Sequence, residues 1–94
     1  MVFRLSGRTR RSQVEIMYVI LRVCLSGAAC KTKIVYDANL NFIRLKRYLN
    51  LLLKMGYLVE ENDPGKKVVY RTTKAGRLFV RSFSWMQRAA PNKR

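Results

Sequence analysis

The stretch "NFIRLKRYLNLLLKMG", residues 41–56, decides the fold. Wound at about 100° per residue, it gathers Phe42, Leu45, Tyr48, Leu49, Leu52 and Leu53 into one apolar arc. Lys46, Arg47, Asn50 and Lys54 fall on the other side, with Arg44 at the flank and Ile43 and Leu51 set among the basic groups. Asn41 is placed to cap the helix, which is expected to run from Phe42 to Met55 and stop at Gly56. One face needs a core. The other carries cations, no acid and two apolar groups with no evident place in that core.

Composition points the same way. The 94 residues hold twenty Lys and Arg against five Asp and Glu, a formal charge of +15. A chain that repels itself this strongly matches a polyanionic partner, nucleic acid before membrane surface. Apolar residues make up 49% of the sequence, enough for one small core. Catalysis finds little material: there is no His, and Glu15, Asp37, Glu60, Glu61 and Asp63 are scattered. Glu60 and Glu61 point to opposite sides of a strand, so they form no carboxylate dyad. Cys24 and Cys30 lack companion ligands for a zinc site, so no metal, cofactor or small-molecule ligand is expected and the chain is not expected to be an enzyme. The apolar run "VEIMYVILRVCL" contains Glu15 and Arg22 and is too short to span a bilayer. The expected location is the cytoplasm, on the nucleoid, with both thiols reduced.

Working outward, residues 1–11 read as a basic arm carrying Arg4, Arg8, Arg10 and Arg11. "SQVE", residues 12–15, is a capping box that opens a helix apolar almost all round, ending near Gly27. A short helix follows from Lys31 or Thr32, with Thr32 as candidate cap, to about Ala38. Asn39-Leu40-Asn41 is a tight turn into the quoted helix. After Gly56 the hydrophobic period changes: Tyr57–Glu61 and Lys67–Thr72 read as strands joined by "NDPGK". Thr73 caps a last helix whose apolar face holds Ala75, Leu78, Phe79, Ser82, Phe83, Trp85 and Met86, and Pro91 ends it. Residues 89–94 form a basic tail. The domain thus spans residues 12–88: mainly α with a small antiparallel hairpin, a winged helix-turn-helix.

Particular residues carry a family resemblance. "KTKIVYDANL" leading into "LKRYLNLLLKMGYL", then "VVYRTTKAG", resembles the small archaeal winged-helix DNA-binding proteins, the Sulfolobus-type chromatin proteins and related one-domain regulators. The resemblance covers about residues 12–85. It implies a winged-helix fold, a homodimer and double-stranded DNA as ligand. It also implies that Leu40 is the buried turn residue, that Leu45, Leu49 and Leu52 are core contacts, and that Tyr70 points inward from the second strand.

In a helix-turn-helix the second helix lies in the major groove. That assigns Phe42, Ile43, Arg44, Lys46, Arg47, Asn50 and Lys54 to the groove face. Arg47 has the planar fork for guanine, Asn50 the amide for adenine, and Ile43 the apolar surface for a thymine methyl. Lys31, Thr32 and Lys33 begin the helix that crosses the backbone, where side chains and free N–H groups can hold a phosphate. Lys66, Lys67 and Arg71 are the wing's candidates. Leu78, Phe79, Phe83, Trp85 and Met86 exceed what one small body covers and are expected at a dimer interface. Three functions fit: a dimeric transcription regulator, a low-specificity architectural binder, and a winged-helix protein-interaction module.

Overall fold

A computed structural model describes residues 12–89, with side chains through residue 86. The order is α1 (Gln13–Leu25), α2 (Lys31–Ala38), α3 (Phe42–Lys54), β1 (Leu58–Asn62), β2 (Val68–Thr72) and α4 (Lys74–Ala89). This is the expected winged helix-turn-helix arrangement. The arm with Arg4, Arg8, Arg10 and Arg11, and the tail beyond residue 89, lie outside the described residues.

The helix α1 is the centre of the fold because it is apolar on most sides. Ile16, Met17, Tyr18, Ile20, Leu21 and Cys24 are buried, while Val19, Val23 and Leu25 are partly buried against the same core. Its start is the predicted capping box: the Glu15 amide donates to Ser12 Oγ at 3.1 Å, and the Ser12 amide donates to Glu15 Oε1 at 3.0 Å. Burial pushes the Cys24 thiol up to about 12, while Cys30 is only partly buried.

Two devices seat α3. At its start, Asn41 Oδ1 accepts the Arg44 amide at 2.7 Å, as the sequence indicates. At its end, the Gly56 amide donates to the Leu53 carbonyl and the Tyr57 amide to the Leu52 carbonyl. This paired closure needs a left-handed residue, which Gly56 supplies at φ 80°. Before α3, Asn39 takes φ 57° and turns the chain so that Leu40 drops into the core. Leu45, Tyr48, Leu49 and Leu52 are buried below it, and Leu53 is partly so.

Several expectations need correction. The cap of α2 is Cys30, not Thr32. The reason is tertiary: Ala29 and Tyr70 exchange both backbone hydrogen bonds, at 2.9 and 2.8 Å, which holds the chain extended until residue 30. The first strand starts at Leu58, because the Tyr57 amide is used in closing α3. Phe42 belongs to the apolar arc by angle but is 54% exposed, since it sits at the edge of that arc in the first turn. In α4, Val80 is buried although it lies outside the expected apolar face.

The hairpin pairs Leu58 with Thr72 through to Asn62 with Val68. Its tip is closed by Asp63, whose carbonyl accepts the Lys66 amide at 2.7 Å and whose carboxylate accepts the Lys67 amide at 2.8 Å. Lys66 itself takes the left-handed conformation, φ 66°. Thr72 ties the wing to the body: its hydroxyl, fully inside, donates to the Leu21 carbonyl at 2.8 Å.

Candidate nucleic-acid interface

The outward line of α3 is Ile43, Arg47, Asn50 and Lys54, spaced i, i+4, i+7 and i+11. All four are exposed, as are Lys46 and Phe42 on one flank and Arg44 and Leu51 on the other. Four cations stand on this helix with no acid among its 13 residues. No ion pair among the described residues holds any of them. The structure therefore brings together every residue that the sequence assigned to this face.

The supporting elements divide. On α2, Lys31, Thr32 and Lys33 are exposed at its N-terminal turn. Lys33 is held by Asp37 at 2.8 Å, one turn on, and that hydrogen bond raises its pKa. Cys30 at the cap is held below its ordinary value by the Lys33 amide; burial opposes this, and the Thr32 amide and the Lys67 charge reinforce it. On the wing, Arg71 meets Glu61 with two of its nitrogens, the shortest approach being 3.0 Å. Its charge is locally offset, which leaves Lys66 and Lys67 as the wing cations outside any ion pair among the described residues. An exposed pair of this kind is worth at most about 1 kcal/mol, so a phosphate can displace the carboxylate.

One residue escaped the sequence reading. Tyr36 is 84% exposed and lies one turn beyond Thr32 on the outward side of α2. Its neighbours Ile34 and Ala38 are buried. The signal was available in that alternation, because a tyrosine opposite two buried positions on a short helix has no core to join.

The apolar residues of α4 separate into two groups. Phe83 packs on the Tyr18 ring at 4.6 Å between centroids, and Phe79 on Tyr57 at 5.4 Å. These two serve the chain's own core in part. Leu78, Trp85 and Met86 face away and are 55%, 66% and 60% exposed. Ala75, Leu78, Ser82 and Trp85 form a stripe spaced 3, 4 and 3 residues apart, the spacing of a helix-pairing seam, with Met86 beside it.

The family model for the winged helix-turn-helix matches residues 10–90, nearly the whole chain. The chain belongs to the winged helix-turn-helix family. Among solved structures it is similar to Sso10a-2, a DNA-binding protein from Sulfolobus solfataricus, with 28% identity and a TM-score of 0.74 over 83% of this chain and 80% of that one. It also shares its fold with Streptococcus pneumoniae FabT, solved in complex with DNA. That match has 18% identity and a TM-score of 0.68, over 92% of this chain and 62% of that one. An uncharacterised protein of Methanocaldococcus jannaschii is 32% identical over 56 residues, 60% of this chain and 58% of that protein. The resemblance to small archaeal winged-helix proteins thus holds. In winged-helix terms α3 occupies the recognition position and β1–β2 is the wing. Among the described residues no helix is long and apolar enough to cross a membrane, and no group of three or more His, Cys, Asp or Glu could hold a metal ion.

Proposed function

We propose that the chain is a homodimeric transcription regulator that binds double-stranded DNA, with α3 in the major groove. The observation that carries this is the outward face of α3: cations, an amide and an isoleucine, without an acid, at the position of a recognition helix. A helix of 13 residues is about 20 Å long and fits that groove. Lys31, Thr32, Lys33 and Tyr36 would hold one strand's phosphates, and Lys66, Lys67 and Arg71 the neighbouring backbone. The similarity to Sso10a-2, a DNA-binding protein, supports the reading. The arm with Arg4, Arg8, Arg10 and Arg11 adds sequence-independent affinity. The site of action is the nucleoid, in the cytoplasm, and no catalytic role is assigned. Selection from random duplexes, then binding with and without competitor DNA, tests the proposal. Recovery of a consensus supports it. Binding that competitor abolishes supports the architectural reading, which the charge of +15 favours.

The dimer would form on the stripe of α4. Replacing Leu78 and Trp85 with Glu places two unpaired charges in that seam while leaving the core untouched, because both side chains are exposed in the single chain. Dimer affinity is expected to fall on the order of 100-fold or more, giving a folded monomer in sedimentation. An unchanged dimer would move the interface elsewhere.

A further inference from the structure

The first outward position of α3 is the exception on its face. Arg47, Asn50 and Lys54 can all bond a polar groove, whereas Ile43 can bond nothing and is 75% exposed. Phe42 beside it is 54% exposed, and neither belongs to the core or to the residues packed against it. Both lie in the N-terminal turn, the part of a recognition helix that meets base edges. They are bracketed by Arg44 and Lys46, which no acid accompanies on α3. A protein partner covering the two apolar groups would bury those cations, whereas a polyanion would pair them. Within the major groove one apolar group is available, the C5 methyl of thymine.

We propose that Ile43, with Phe42 beside it, reads thymine methyl groups, so that the preferred site carries thymine under the first turn of α3. The inference rests on the DNA-binding reading and assigns it a base. The apolar pair would leave water only over a methyl, while cytosine offers a bare C–H and an amine at the same place. Arg47 and Asn50 would read the bases that follow.

The test uses the full chain and the duplex obtained by selection. Each thymine is replaced in turn by deoxyuridine, which removes the methyl and leaves every hydrogen-bonding group in place. Removing the contacted methyl is expected to weaken binding about fourfold, and replacement in both half-sites on the order of fifteenfold. Ile43→Ala is expected to bind the thymine duplex correspondingly less well and to become indifferent to the uracil change. The variant keeps its fold because the side chain is exposed, and unchanged thermal unfolding checks this. Full affinity for every uracil duplex, with preference over scrambled DNA retained, would overturn the inference and leave DNA reading intact. Uracil sensitivity that persists in Ile43→Ala and in Phe42→Ala would also overturn it. Failure to bind any duplex would overturn both readings.

Discussion

Arg47→Ala is expected to weaken binding to the preferred duplex by about 1–3 kcal/mol, roughly 5- to 150-fold, and to cost much less on a scrambled duplex. Arg47 stands on the outward line of α3 within its first two turns, exposed and outside any ion pair among the described residues. Its planar fork matches two acceptors on guanine, a geometry that a lysine ammonium lacks. Lys54, at the end of the same line and of the helix, is better suited to a phosphate. Lys54→Ala is therefore expected to weaken both duplexes by a similar factor. Titration of the two variants against the two duplexes decides the matter. Equal losses for Arg47→Ala on both would mean that α3 positions the chain without reading sequence.

Gly76→Ala is expected to destabilise the fold by about 3 kcal/mol, lowering the melting temperature by roughly 10–20 °C. A methyl group at this position would collide with the Tyr57 carbonyl oxygen and would come within 2.7 Å of Thr72 Cγ2. Neither can retreat. The Tyr57 carbonyl accepts the Thr73 amide at 3.0 Å, while its own amide is bonded to Leu52. Thr72 is anchored to Leu21. Helix propensity favours alanine by about 1 kcal/mol, so sterics alone set the sign. Thermal unfolding followed by circular dichroism checks the result. A melting temperature within about 2 °C of the parent would show that α4 can move off the hairpin without loss.

The same contact explains what could be read from the sequence and what could not. Local chemistry was legible: the Ser12–Glu15 box, the Asn41 cap, the Gly56 stop and the Thr73 cap each depend on residues within one turn. The α3 face was legible too, because a 13-residue helix with one buried arc has its other side fixed. Contacts between distant segments were not. Thr32 looked like a cap because nothing in residues 28–32 announces that Ala29 pairs with Tyr70. Arg71 looked like a free wing cation because its bond to Glu61 depends on the strand register. The rotation of α4 follows from the close approach at Gly76, which turns Val80 inward and leaves Leu78 and Trp85 outside. Phe42 shows the limit of angle alone: a residue at the edge of an arc is buried only if something lies beneath it.

The salt dependence of duplex binding tests the central claim most directly. A dimer that neutralises about eight phosphates releases their counterions, so log K should fall against log salt with a slope near −7. The measurement needs the full chain, including the arm, and one duplex across a series of salt concentrations. A steep linear fall of that order is the predicted result. A slope near zero, or no binding at the lowest salt, would contradict the assignment of the basic face to nucleic acid.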